Sequence, residues 1–408
     1  MHQNVMVPAY RDAVIFIPGL RRGWSDQSIE TVARRIAAEF DWNARTARAV
    51  FTVEDGSRAR PCGAKVSTII RHEGGEDTPV LDIYGLDYHD ILINRFGQSN
   101  AVVNSAVLLL VLAVTVPRFL GRLFHWRKAS KGIVHTLQLL YCSAVLSMMA
   151  FYTATLLVAA GQIVLKALHL TAMAPPPLAK LLMNMWPEIF TIVVTLVTNL
   201  FPARRDVLVD AAIDYVSAIR YLMVGERRAA VCGRLAALLE HVAERSDTDY
   251  ERIHIVAFSF GSIIAIDTLF PHAGPPSRRF GLIDTLVTIG CPFDFIRMFW
   301  PEYFQRRQGM PNTPRSWLNV YKSIDVLGSN FRNDDRAEEA DDGIAFENGT
   351  IVCPSNLRYD GDMKLSIRSW LLMTGLRSHW TYWSGEDEET SCFGSIVRRM
   401  YADSKAMA

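Results

Sequence analysis

The sequence predicts an α/β protein: a doubly wound, mostly parallel sheet with a helical membrane region inserted into it. Three observations carry that expectation. Ala13 to Ile17 is a short, unbroken run of β-branched, aromatic and small apolar residues, as a strand buried on both faces of a parallel sheet requires, and Ile253 to Phe258 reads as a second strand. Amphipathic stretches of helical period alternate with such runs, the pattern of helices laid over a sheet. Within residues 96–203, three long stretches carry no charged side chain.

In chain order, the run from Ala13 to Ile17 stops at Pro18-Gly19. A helix from about Ser28 to Phe40 follows, with Ile29, Val32, Ala33, Ile36 and Ala37 on one stripe. Lys65 to Ile70 and Val80 to Tyr84 are the next strands, and strand, helix, strand is how a doubly wound sheet opens. Beyond the insertion, Arg205 to Tyr221 and Arg227 to Glu244 read as amphipathic helices. The sheet then resumes with a strand over Ile253 to Phe258, a helix over Ser262 to Phe270, and strands over Leu286 to Ile289 and Trp317 to Lys322. The polar run from Asn333 to Gly343 is a solvated loop whose carboxylates lack a metal-ligand spacing.

Composition narrows the function classes. The 408 residues are 50% hydrophobic and 21% charged, too apolar for a disordered chain and ample for a large core. Lys and Arg number 43 against 42 Asp and Glu, so the net charge of +1 sets up no global field for phosphate backbones or acidic substrates. Neither a phosphate-cradling glycine loop nor an aromatic-and-basic platform for nucleic acid is present. The six cysteines are far apart, without the two-residue spacing of zinc or redox motifs, and read as reduced, mostly buried thiols. The N-terminal residues lack the features of a secretory signal, which places the non-membrane part in a cytosolic setting.

The uncharged stretches are Phe96 to Pro117, Gly132 to Leu165 and Ile189 to Ala203. Crossing the hydrocarbon takes about 20 helical residues, and the middle stretch alone has 34. If the segments on either side of the insertion share one sheet, they lie on the same side of the membrane and the number of full crossings is even. Arg118, Arg122, Arg127, Lys128 and Lys131, with no acidic residue among them, place the first connection in the cytoplasm, and Arg204 and Arg205 point the same way. The consistent arrangement is a hairpin of the second and third stretches, turning at the Pro-rich residues 171–180. The first stretch would lie in the cytoplasmic leaflet, with Trp126 and its basic neighbours at anionic head groups. A soluble lid of buried helices is the alternative.

The chemistry concentrates in RIHIVAFSFGSIIAIDTLF, residues 252–270. A strand runs into Ser259 and at once into a helix, so the serine takes a strained turn and its neighbours two residues away must be small. Ala257 and Gly261 meet that need. An ordinary serine N-cap is the bland alternative. With these residues the chain resembles the α/β-hydrolase family, whose nucleophile elbow is usually Gly-x-Ser-x-Gly and here is Ala257-Phe258-Ser259-Phe260-Gly261. The resemblance covers the core and not the insertion. It implies nucleophile, acid and histidine in that order, and of ten histidines only His379 lies downstream of every plausible acid. The acid is expected just after a later strand: Asp325 in SWLNVYKSIDVLGSNF is favoured because that run resembles a lipase-like stretch, and Asp294 in VTIGCPFDF is the alternative.

The resemblance also implies an oxyanion hole built from the Phe260 N–H and from the loop after the first strand, Gly19-Leu20, through Leu20 or its neighbour. Pro18 stands where many lipases carry a histidine. Arg21, Arg22 and Trp24 border that mouth and would meet a phosphate or carboxylate head group or contact lipid nonspecifically. Asp87-Tyr88-His89-Asp90 sits at the same sheet edge, and its two acids and one histidine in four residues match no metal geometry, so a pocket-lining role is expected and no metal or other cofactor.

The expected organisation is a first core segment over residues 1–95, a membrane helical insertion over 96–203, and a second core segment over 204–408 carrying the triad. The expected function is membrane-associated ester hydrolysis through a Ser-His-Asp acyl-enzyme, with the bilayer and a lipid or other acyl ester as partners, no nucleic acid, and the catalytic part on the cytoplasmic side. The alternatives are a catalytically silent membrane scaffold and an acyltransferase or thioesterase using the same serine.

Overall fold

The computed structural model describes residues 11–20, 24–44, 50–55, 61–92, 205–244, 250–310, 312–331, 336–360, 378–379, 381–382 and 392–402, with isolated positions at 111, 117 and 143. The strands are β1 (Asp12–Ile17), β2 (Val50–Asp55), β3 (Lys65–Glu73), β4 (Glu76–Gly85), β5 (Ile253–Phe258), β6 (Ile283–Ile289), β7 (Ser316–Tyr321), β8 (Ile344–Ala345), β9 (Ile351–Val352) and β10 (Ser355–Arg358). The helices are α1 (Trp24–Ala44), α2 (His89–Leu92), α3 (Arg205–Met223), α4 (Gly225–Glu244), α5 (Phe260–Leu269), α6 (Phe293–Phe299) and α7 (Cys392–Ala402).

Eight strands form one sheet in the order β10-β7-β6-β5-β1-β4-β3-β2, while β8 and β9 make a separate pair. Strands from before and after residues 93–204 therefore share a sheet, with β1 hydrogen-bonded in parallel to both β4 and β5. Every pairing from β4 through β10 is parallel. The β2-β3-β4 end is an antiparallel meander, so helix α1 leads not into a second parallel strand but into a reversal of direction. Strand β2 was not expected, and β3 and β4 extend further than their apolar centres to meet at Gly74-Gly75. Parallel winding runs outward from β1 in both directions, which makes the β1/β5 boundary the switch point where open α/β sheets hold ligands at the carboxyl ends of their strands.

The alternation of side chains explains the burial. Ala13, Ile15 and Ile17 of β1 join Ile253, Ile255 and Ala257 of β5 in one core, packed with Val231, Leu235, Leu238 and Leu239 of α4 and with α5. Val14 and Phe16, with Val256 and Phe258, belong to a second core on the opposite face. There α1 lays down Ile29, Val32, Ala33, Ile36 and Ala37, the expected stripe, together with Phe40, and α7 adds Phe393, Ile396, Val397 and Met400. Each fully buried side chain of this size contributes about 1.5–3 kcal/mol.

Helix α5 is buried on all sides and its one carboxylate is tightly held. Arg307 Nη1 donates to Asp267 Oδ1 at 2.8 Å, and the hydroxyls of Tyr221 and Tyr303 donate to Oδ2 at 2.9 and 2.5 Å. The Arg307 side chain is wholly buried, so removing its counter-charge strands a desolvated cation. Asp267→Ala is expected to lower unfolding stability by about 3–5 kcal/mol, read from urea denaturation of the full-length chain.

Among the described residues no helix is long and apolar enough to cross a membrane. Apart from positions 111, 117 and 143, the three uncharged stretches lie outside those residues, as do the basic residues between the first two stretches, Trp126, Arg21, Arg22 and the side chain of Trp24. Of the described cysteines, Cys291 and Cys392 are buried and Cys232 half-buried, whereas Cys62 and Cys353 are exposed, which corrects the expectation of mostly buried thiols.

Candidate active site

Strand β5 ends at Phe258 and α5 begins at Phe260, so Ser259 alone makes the turn between them. Its backbone lies at φ 53° and ψ −124°, a region that costs a non-glycine residue about 1–3 kcal/mol and persists only where surrounding contacts fix it. Those contacts are the Ser259 N–H donating to Ile289 O at 2.8 Å, the Ser262 N–H donating to Ser259 O at 3.0 Å, and Ser262 Oγ donating to Ala257 O at 3.0 Å. A Cβ on residue 261 would lie 2.4 Å from Ile17 O and 2.6 Å from Pro18 O, closer than any side chain tolerates, so Gly261 is what lets α5 start beside the end of β1. The residue acts as a turn and not as a side-chain N-cap, because no cap hydrogen bond forms from Ser259.

His379 comes to this serine across 120 residues of chain, with Nε2 2.7 Å from Ser259 Oγ. Its Nδ1 is 2.8 Å from Asp325 Oδ2. An ionised carboxylate only accepts, so Nδ1 carries the proton and Nε2 presents a lone pair to the serine hydroxyl. The imidazole is 2% exposed, which leaves water little room to compete for that lone pair. It stacks on Phe258 at 5.4 Å and 25° and meets the edge of Tyr382 at 6.4 Å and 90°.

Asp325 lies four residues beyond the end of β7 and is fully buried. Burial of a lone carboxylate is costly unless several donors face it. Besides His379, the Tyr382 hydroxyl donates to Oδ2 at 2.8 Å and the Leu327 N–H donates to Oδ1 at 2.9 Å. Burial, and then the negative charge of Asp325, push the Tyr382 phenol well above its ordinary value, so it stays a donor. Tyr382 in turn accepts from the Lys322 N–H at 3.0 Å. The Lys322 ammonium donates to Thr381 O and Oγ1 at 3.0 and 3.1 Å and lies 4.9 Å above the Tyr382 ring. Burial holds that ammonium below the usual lysine range. The end of β7 is thereby fastened to the segment carrying the histidine.

Asp294, the alternative acid, is placed elsewhere. It opens α6, and Ser329 Oγ donates to its carboxylate. Asp325 is the carboxylate that His379 meets among the described residues.

Phe260 N–H opens α5, at the positive end of its helix dipole, and Leu20 lies in the loop after β1. Among the described residues neither amide donates to another group. A Cβ on residue 19 would lie 3.1 Å from Ser259 Cβ, which sets the Pro18-Gly19-Leu20 loop directly beside the Ser259 turn. The Asp87-Tyr88-His89-Asp90 motif also reaches that loop. Tyr88 Oη donates to Pro18 O at 2.6 Å and His89 Nε2 lies 3.0 Å from Gly19 O. Asp90 forms a two-pronged pair with Arg234, at 2.6 and 3.0 Å. Among the described residues no three His, Cys, Asp or Glu side chains are grouped to hold a metal.

Gly290, Gly328, Lys322 and Tyr382 were not singled out from the sequence. Gly290, at φ +59° just past β6, would place a Cβ 3.1 Å from His379 Cε1 and 3.2 Å from Asp325 Oδ2, and a Cβ on residue 328 would lie 2.6 Å from Asp325 Oδ2. A glycine directly after a buried strand, and a tyrosine three residues past the histidine, were the available signals.

No protein-family model matches this chain, and neither a curated protein nor a solved structure matches it.

Proposed function

We propose that the chain is a membrane-associated serine hydrolase of α/β-hydrolase type, cleaving a carboxylic ester of a lipid or other acyl substrate. The observation that carries this reading is the hydrogen-bond chain from Ser259 through His379 to Asp325, at 2.7 and 2.8 Å, mounted on a strained strand-to-helix turn at the switch point of the sheet. Ser259 Oγ attacks the ester carbonyl as its proton passes to His379 Nε2, and Asp325 stabilises the imidazolium through Nδ1–H. The Phe260 and Leu20 amides receive the oxyanion. Collapse of the tetrahedral intermediate expels the alcohol with the proton from His379, leaving an acyl-serine. Water, deprotonated by His379, then releases the carboxylic acid and restores the serine. The cycle draws on no metal or other cofactor.

Two features support a bilayer substrate. The uncharged stretches of residues 96–203 are long enough to enter or cross a membrane. Helix α2 ends at Leu92, three residues past the His89 that touches the nucleophile loop, so the chain departs toward those stretches from the edge of the sheet that bears Ser259. A cytoplasmic position for the site follows from the basic connection at residues 118–131.

The test is hydrolysis by full-length chain in lipid nanodiscs. A fluorogenic long-chain ester dissolved in the bilayer is expected to be cleaved with at least about tenfold higher kcat/KM than a short water-soluble ester of the same leaving group, since that ratio reflects about 1.4 kcal/mol of added binding. Cleavage of soluble esters alone would overturn the lipid assignment, and no Ser259-dependent cleavage of either would overturn the hydrolase reading.

A further inference from the structure

We propose that Tyr88 and His89 are positioning residues that aim the second oxyanion donor; this rests on the hydrolase reading and extends it. Gly19 O has no proton to give, so the ring atom 3.0 Å from it, His89 Nε2, must be the donor. A peptide bond is planar and trans, so its N–H points opposite to its C=O. Holding the Gly19 carbonyl therefore fixes the direction of the Leu20 N–H, and the Tyr88 hydrogen bond to Pro18 O does the same for the Gly19 N–H. Among the described residues, these are the two amides of the loop that runs against Ser259.

The surroundings of the pair are built to keep it there. Tyr88 is fully buried and His89 is 7% exposed, and their rings stack at 4.8 Å and 13°. The His89 N–H donates to Asp87 Oδ1 at 3.1 Å, while the ring Nδ1 lies 3.4 Å from the same oxygen. Arg234 of α4 donates to Asp87 O at 2.7 Å and clasps Asp90, so the motif is pinned on both sides of the two rings. Each of its four residues thus serves to hold the loop. Oxyanion donors act through preorganisation, since a donor that must first rotate loses its advantage when charge develops.

The experiment compares wild type with His89→Phe, His89→Gln and Tyr88→Phe in the full-length, detergent-solubilised chain, using a soluble fluorogenic ester and a trifluoromethyl ketone that mimics the tetrahedral intermediate. His89→Phe keeps the ring stack and loses the donor. It is expected to lower kcat about 100-fold with KM changed by less than about threefold, and to weaken the ketone in proportion to kcat/KM. His89→Gln, which restores an N–H donor, is expected to recover most of both losses. Tyr88→Phe removes a single hydroxyl and tests the same idea should His89→Phe fail to fold; about a tenfold loss in kcat is expected, again with the ketone following. Kcat and ketone affinity within about threefold of wild type in folded His89→Phe or Tyr88→Phe, or equal losses in His89→Phe and His89→Gln, overturn the positioning role while leaving the hydrolase reading intact. If wild type shows no Ser259-dependent turnover, both proposals fall together.

Discussion

Asp325→Asn is expected to lower kcat about 10⁴-fold without unfolding the protein, and the reason lies in which oxygen each donor uses. Leu327 N–H, a backbone group that can only donate, faces Oδ1, whereas the Tyr382 hydroxyl at Oδ2 can turn to accept, so an asparagine at 325 keeps its carbonyl at Oδ1 and turns its NH₂ to the Oδ2 position. That NH₂ would face His379 Nδ1, and two donors cannot share a hydrogen bond. The imidazole then moves its proton to Nε2, the atom 2.7 Å from Ser259 Oγ, and no lone pair remains to accept the serine proton. Substrate binding depends on other surfaces, so KM should change little. Steady-state kinetics with a soluble ester, alongside thermal unfolding, measure both halves of the expectation. A loss below about tenfold would mean that Asp325 does not set the tautomer.

Ser259→Ala and His379→Ala are each expected to reduce kcat by about 10⁶-fold, and the double variant should be no worse than either alone. In the proposed mechanism the two side chains perform one step, transfer of the serine proton to Nε2 as Oγ attacks, so removing either one removes the step entirely. Independent contributions would instead multiply to a loss far larger than either single variant shows. Residual activity in all three variants should converge on the same value, set by the Phe260 and Leu20 amides. Multiplicative losses in the double variant would separate the serine from the histidine in function.

The parts of the fold with unmixed signals were legible in the sequence. Strands β1 and β5 are apolar except for Asp12 and His254 because both of their faces are covered, and every residue of each is buried. The turn at Ser259 was readable because strand, serine and helix follow without a gap between small residues at 257 and 261. The pairing of Asp325 with His379 came from the resemblance and from chain order, since nothing local in either segment points to the other.

What was missed had weaker or mixed signals. Strand β10, Ser355 to Arg358, buries only Asn356 fully, whose amide is spent on hydrogen bonds to Asn330 O and Glu339 O and whose Oδ1 accepts from Asn319, so it has no apolar alternation to read. Helix α7 buries Phe393, Ile396, Val397 and Met400 in the second core; their i, i+3, i+4, i+7 spacing is an amphipathic helical pattern, but it spans only two turns and is interrupted by Gly394. The β2-β3-β4 meander hinged on recognising Gly74-Gly75 as a two-residue hairpin connection, a local cue that fixes antiparallel pairing where strand-helix-strand order favoured parallel. Tyr382 and His89 could not be assigned from sequence because their roles depend on partners 57 and 70 residues away.

The central claim is that the Ser259 hydroxyl is a nucleophile because His379 receives its proton, and it is most directly tested by locating a covalent adduct. Full-length chain treated with a fluorophosphonate and digested for mass spectrometry is expected to carry one phosphonyl group, on Ser259, with labelling abolished in Ser259→Ala and slowed by orders of magnitude in His379→Ala. An adduct on a different residue, or labelling of Ser259 that proceeds equally fast without His379, would contradict the account.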